Sequence, residues 1–427
     1  MILDAEQDRM RVWQYAERFL GVGTRSYSAF SEHLDIDDAY HPQSGHTCFT
    51  VPTFWVPDSL GQFFRNGVTT DLCDLYQKGD RFLLPVHPEA LTCHSLPGRD
   101  LLRTVERGPD AVVVPSANAR TVFVERLGDE AVPAHFVKLH YPKRLSRFTR
   151  RLRRPTLLLH LWVTDELMNA GLPVLPEVAA GVLGDDPDHA WGFLIRETVA
   201  RTGTAVGDDN SSSRRAGIGA CPPDYTVPLF ALYGTDFKRP NDPTLLEQLV
   251  TRGTEEPAQW IRRRVIDPMV QLWLKAAKST GCTLELHGQN TLFSFDADAR
   301  RSAVLYRDCA IYVDPHVRRE LGLSRTLPPA NVLCRDILMP RENVYSLTYD
   351  SFMGHHALHR LAEVAQERLG VAPYLLQQAA VESFARHGGT AVPLPASVFY
   401  YDNQLHPASQ WRLVDTGRPP VWRPSPA

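Results

Sequence analysis

Within residues 3–20, Met10, Val12, Trp13, Tyr15, Ala16, Phe19 and Leu20 recur at mixed three- and four-residue spacing, which predicts an amphipathic opening helix. From about 36 to 125 the texture changes. Pro and Gly interrupt short apolar runs (FTVPTFWVP, RFLLPVHP, AVVVPSA, TVFVERL), a pattern of strands and loops. Residues 201–223 are polar, Gly- and Ser-rich and aperiodic, so they predict a mobile loop long enough to cover a site. Residues 257–279 carry Trp260, Val265, Met269, Leu272, Trp273 and Ala276 in one helical stripe, with Arg262–Arg264 and Lys275 facing water. Pro268 predicts a kink there, and Gly281 an end. Cys282–His287 alternates like a strand, and TLFSFD and SAVLYRD predict two more, joined by a turn over Asp296–Arg300. Residues 351–387 read as helix again, and the terminal WRPSPA as a loose tail. No internal repeat is visible.

Composition narrows the classes. Hydrophobic residues at 43% and charged residues at 22% exclude disordered, collagenous and coiled-coil chains. Forty-six Lys and Arg against 49 Asp and Glu give −3, so no global field draws the chain to nucleic acid or to an anionic membrane. Seven scattered Cys without a CxxC pair argue against a disulfide framework or structural zinc. The opening residues lack the apolar core of a signal peptide, and Leu157–Val163, broken by His160, is too short for a membrane span. A cytoplasmic protein is expected.

The string Leu284-Glu285-Leu286-His287-Gly288-Gln289-Asn290 is the most informative. On a strand, Glu285, His287 and Gln289 share a face while Leu284 and Leu286 point into apolar packing. Three converging polar groups suit a site, or equally a solvent-facing strand edge. Tyr306-Arg307-Asp308 ends the next apolar strand. A hairpin would bring Asp308 near Glu285 and His287, an oxygen-rich nest for Mg²⁺; alone, the Arg–Asp pair also reads as a local salt bridge. Seven basic residues from Lys143 to Arg154 allow a nucleic-acid patch, but with only Phe148 as an aromatic partner a solvated helix face with Arg150 and Arg147 turned inward is favoured. His355, His356 and His359 could share a helix face around a metal, or be ordinary helix histidines.

ELHGQN followed by YRD resembles the NRPS-independent siderophore synthetases of the IucA/IucC type. Four further elements occur in family order: Pro85-Val86-His87-Pro88, Ser116-Ala117-Asn118-Ala119-Arg120-Thr121, Lys138-Leu139, and Ser146-Arg147-Phe148-Thr149-Arg150. The resemblance implies an α+β fold, a multidomain cupped hand of antiparallel sheets flanked by helices. Units of 1–125, 126–255 and 256–427 are expected. It also implies a ligase that activates one carboxylate of citrate or another acid with ATP and passes the acyl group to an amine or hydroxyl. Asn118, Arg120, Thr121 and Lys138 would meet the triphosphate. Ser146, Arg150 and His287 would hold the carboxylate substrate, Arg150 through its planar fork. Glu285, Gln289, Asn290 and Asp308 would organise Mg²⁺ and nucleotide, with Glu285 and Asp308 as metal ligands. His287, Arg150 and Lys138 are the expected catalytic set. The implied partners are a small carboxylic acid and an amine, with a homodimer as the assembly the family allows.

Two departures stand out. The family's upstream His-Pro-rich element with Lys and Arg survives here only as Ala39-Tyr40-His41-Pro42-Gln43-Ser44-Gly45-His46, and the late strand Ala396–Gln404 has no basic residue. Set against typically longer relatives, the deficit falls mainly before His87, so a smaller pocket is expected. A non-catalytic relative that binds nucleotide or carboxylate, or supports a partner synthetase, is the alternative.

Overall fold

A computed structural model describes residues 8–21, 36–94, 96–145, 148–149, 151–186, 189–201, 225–328, 340–402 and 412–425. The opening helix α1 is Arg9–Phe19; Asp8 caps it by accepting the Met10 N–H at 2.8 Å. The apolar runs of the first third form strands as expected. Seven strands make the largest sheet: β1 (Phe49–Val51), β2 (Gly61–Arg65), β3 (Ala111–Pro115), β4 (Thr121–Leu127), β5 (Glu130–Lys138), β6 (Glu177–Leu183) and β7 (Trp191–Glu197). Their order is β1-β3-β4-β5-β7-β6-β2, antiparallel throughout. Strand β4 runs across position 125, and the sheet draws on both sides of it.

Both faces of the β6–β7 pair are covered, which is why every residue of each is buried. On one face lies helix α2 (Arg154–Asn169), whose Leu157 and Leu161 meet Ala180, Val182 and Leu194. On the other, Phe193 packs with Phe82 and Trp55 from a four-stranded sheet. Each such large apolar side chain contributes about 1.5–3 kcal/mol.

The C-terminal half is helical around a three-stranded sheet of β8 (Tyr225–Pro228), β9 (Thr291–Phe295) and β10 (Ser302–Tyr306). The β9–β10 hairpin turns over Asp296–Arg300 as the sequence predicts, because Asp296 accepts the N–H groups of Arg300 at 2.7 Å and Arg301 at 3.0 Å. Helix α3 (Asp267–Thr280) ends at Gly281, whose φ of 70° is the left-handed cap that glycine adopts without strain. A π turn over Arg262–Ile266 immediately precedes Pro268 inside the continuous helical stretch Pro257–Thr280, widening the helix where the proline's ring and missing N–H disturb the α-helical ladder.

Four expectations change. Only Cys282–Thr283 of the Cys282–His287 segment is strand. The late helical region starts at Arg341 rather than 351 and includes a π-helix over Leu347–His359, then α4 (Arg360–Leu369) and α5 (Pro373–Arg386) separated at Gly370. The basic run is a short hairpin of Arg144–Leu145 and Phe148–Thr149 followed by the start of α2, not a helix face. The terminal segment is not loose: Trp422 and Arg423 are buried, and Arg423 forks onto Asp350 through two 2.9 Å hydrogen bonds. The 201–223 loop, apart from Arg201, lies outside the described residues. No helix among the described residues is long and apolar enough to cross a membrane, and Cys48, Cys73, Cys282 and Cys309 are free thiols.

Candidate functional site

Lys138 ends β5, with Thr121 of β4 opposite it on one side and Leu194 of β7 on the other. Its side chain is almost wholly buried, and Nζ donates to Asp308 Oδ1 at 2.6 Å. Burial pulls the ammonium pKa down to about 8, with Asp308 opposing. Asp308 follows β10 with a φ of 79°, a left-handed backbone that costs a non-glycine residue about 1 kcal/mol or more. Burial opposes its charge, but Lys138, then His160 and Arg196, hold the carboxyl well below the usual range.

Three residues that the sequence reading did not assign to the site surround this pair. His160 of α2 puts Nε2 3.4 Å from Lys138 Nζ and 3.7 Å from Asp308 Oδ1, while its Nδ1 lies 2.5 Å from Glu177 Oε2. Glu177 and Arg196 sit opposite each other across β6 and β7. The Arg196 guanidinium donates to Glu177 Oε1 through Nε, at 3.1 Å, and through Nη2. The Cys309 N–H donates to Glu177 Oε2 at 3.1 Å. Burial lowers the His160 pKa, with Glu177 opposing, and the Glu177 carboxyl pKa is held down to about 2, against its burial, by His160 and Arg196. A carboxylate and a guanidinium inside two fully buried strands are the available signal: such charges are not buried without partners.

The ELHGQN segment keeps the predicted alternation without being a strand. Leu284 and Leu286 are buried while Glu285, His287 and Gln289 are half-buried. The chain turns because the His287 carbonyl accepts the N–H groups of Asn290 at 3.1 Å and Thr291 at 3.0 Å, and a Cβ on Gly288 would lie 2.1 Å from Tyr233 Oη. His287 packs edge-on against Phe352 with centroids 5.7 Å apart. Arg307 splits from Asp308: it pairs with the buried Glu17 of α1 and donates to the Gln289 carbonyl at 2.9 Å. Burial first, then Glu285, Cys309 and Asp308, keep the Tyr306 phenol well above its ordinary pKa, and its hydroxyl donates to the Asp308 carbonyl at 2.9 Å.

Asn118 works as a turn residue. Its Oδ1 accepts the N–H groups of Arg120 at 3.2 Å and Thr121 at 2.9 Å, which delivers Arg120 and Thr121 to the Lys138 end of the sheet. Arg120 acts electrostatically on Lys138. Ser146, Arg147 and Arg150 lie outside the described residues. Among those described, the trio whose donor atoms fall within 4.8 Å of one another is His160, Glu177 and Asp308. It does not suit a hard divalent cation, because Lys138 and Arg196 already neutralise its carboxylates and His160 is bonded to Glu177. Every cationic contact of Asp308 falls on Oδ1, leaving Oδ2 of a side chain that is 29% exposed.

No family model matches the chain, and no curated protein matches it. Solved structures do. The aerobactin synthetase IucC of a hypervirulent Klebsiella pneumoniae pathotype matches with a TM-score of 0.60 at 15% identity, over 88% of this chain and 73% of its own. ATP-bound aerobactin synthetase IucA from the same pathotype gives 0.61 at 13% identity, over 91% and 72%. The petrobactin biosynthesis protein AsbB of Bacillus anthracis Sterne gives 0.66 at 12% identity, over 94% and 74%. This chain has the siderophore-synthetase fold. That synthetase fold is the α+β architecture of antiparallel sheets and flanking helices that the short motifs imply. It brings the Arg120, Lys138 and Asp308 elements together from sequence positions far apart.

Proposed function

We propose that the protein is an ATP-dependent ligase. It adenylates a carboxylic acid, citrate or another di- or tricarboxylate or amino-acid-like acid, and condenses it with an amine or hydroxyl in making a siderophore or related metabolite. What supports this is the convergence of Thr121, Lys138 and Asp308, with Lys138 and Asp308 in contact across 170 residues of sequence. Carboxylate attack on an α-phosphate brings two anions together, so fixed cations lower the barrier. Arg120 and Lys138 supply them at one sheet end. Ser146, Arg150 and His287 are assigned to the acid, and His287 also serves as hydrogen-bond donor to the developing charge or as base toward the incoming amine. Mg²⁺ suits the oxygen donors of Asp308 Oδ2, Glu285, Gln289 and Asn290, and when bound supplies charge neutralisation at the phosphates.

The decisive assay is acid-dependent ATP–pyrophosphate exchange across citrate, other di- and tricarboxylates and amino acids. Exchange with one class is expected, abolished in Arg150→Ala and His287→Ala with the fold intact. Absence of exchange and of AMP with every acid, amine included, would leave a nucleotide- or carboxylate-binding relative without ligase activity.

A further inference from the structure

We infer that His160, Glu177 and Arg196 are positioning residues that aim Lys138 at a phosphate oxygen of a bound nucleoside triphosphate; the identity of that ligand rests on the ligase reading. Glu177 has no exposed surface, and its capacity is filled. Oε1 takes the Arg196 fork, and Oε2 takes His160 Nδ1–H and the Cys309 N–H. Four donors meet roughly the four lone-pair sites of a carboxylate, so Glu177 has nothing left to offer a ligand.

Its effect is on His160. Glu177 Oε2 only accepts, so His160 Nδ1 carries a proton; the Lys138 ammonium only donates, so Nε2 meets it with a lone pair at 3.4 Å. An ammonium has three N–H groups. One is taken by Asp308 Oδ1 at 2.6 Å and one by His160 Nε2; among the described residues the third has no acceptor. A buried N–H without an acceptor is costly, and an anionic oxygen arriving beside Asp308 would satisfy it. His160 and Asp308 thus fix two corners of a flexible side chain and direct the third. Without the imidazole the four-carbon stem regains its rotamers and must be ordered on binding.

The test is ATP binding to the full chain, measured calorimetrically with Mg²⁺ present. His160→Asn keeps a donor where Nδ1 meets Glu177 and removes the acceptor facing Lys138. It should weaken ATP binding about tenfold, the scale of one charge-assisted hydrogen bond, with the far-UV spectrum unchanged. In a double-mutant cycle, Lys138→Met with His160→Asn should bind no more weakly than Lys138→Met alone. His160→Gln, whose carbonyl can reach the Nε2 position, should recover part of the affinity, and it carries the test if the Asn variant does not fold. Unchanged affinity in His160→Asn, or additive losses in the cycle, overturns the inference. If the cycle holds while no acid supports exchange, the ligase reading fails and the positioning role stands. A wild-type chain that does not bind ATP overturns both.

Discussion

The two ring nitrogens of His87 have different fates. Nδ1 accepts the Glu89 N–H at 3.2 Å and caps the short helix Pro88–Thr92, whereas Nε2 has no hydrogen-bond partner among the described residues. Rings of Tyr40, Phe49 and Tyr141 enclose it at 5.0, 5.5 and 4.9 Å. Burial, helped by Lys143, pushes its pKa from 6.5 down to about 3. With the folded pKa depressed, the unfolded chain takes up a proton that the folded one refuses, so stability present above pH 6.5 is lost as pH falls toward 3. The slope is about 1.4 kcal/mol per pH unit for one such group. His87→Asn keeps a capping acceptor but does not titrate. Its urea-unfolding free energy should therefore fall less steeply between pH 6 and pH 4 than that of the wild type, by about that slope. Parallel curves would mean that His87 is protonated in the folded state. His140, whose Nε2 is likewise unpartnered and whose pKa is lowered to about 3, adds to the acid sensitivity of both proteins equally.

At the level of elements, the parts legible in the sequence are those where one local rule dominates. Short apolar runs in AVVVP and TVFVERL yield strands, Gly281 stops a helix, and the Asp296–Arg300 turn closes a hairpin. The ELHGQN segment defeats the strand rule because extended loop and strand share the same alternation, and only the hydrogen bonds to the His287 carbonyl distinguish them. The terminal segment is obscured for a different reason: its Pro-rich composition reads as loose, but Arg423 finds Asp350 73 residues away. That pair fastens the chain end to the Leu347–His359 π-helix, whose Phe352 packs against His287. Arg423→Ala leaves Asp350 buried without its cation and should cost about 3 kcal/mol in urea unfolding. Adding Asp350→Asn should recover part of that loss; no recovery would mean that Arg423 acts through packing alone.

Across the whole molecule, one buried carboxylate ties together three segments distant in sequence. Glu17 of α1 accepts from Arg307, 290 residues away, from Trp13 Nε1 at 3.1 Å and from the Ala117 N–H at 3.1 Å. It thereby joins the opening helix to the turn that carries Asn118 and to the segment that carries Asp308. No local pattern reveals such a residue, just as none assigns His160, Glu177 and Arg196 to the site: each lies in an apolar stretch and acquires its meaning from a partner distant in sequence. Glu17→Ala strands a buried guanidinium beside Asp308. A loss of about 3–5 kcal/mol in unfolding free energy is expected, together with weaker ATP binding in the fraction that remains folded. Wild-type stability would show that Arg307 finds another acceptor.

The contact between Lys138 and Asp308 also bears on how the molecule assembles in time. It closes a chain segment of 170 residues, and both charges give up water only when the seven-stranded sheet and the β9–β10 hairpin meet. Contacts of such separation form late, after local helices and hairpins. During refolding from urea, helical ellipticity should therefore return before the capacity to bind nucleotide, and the interval between the two measures the docking of the halves.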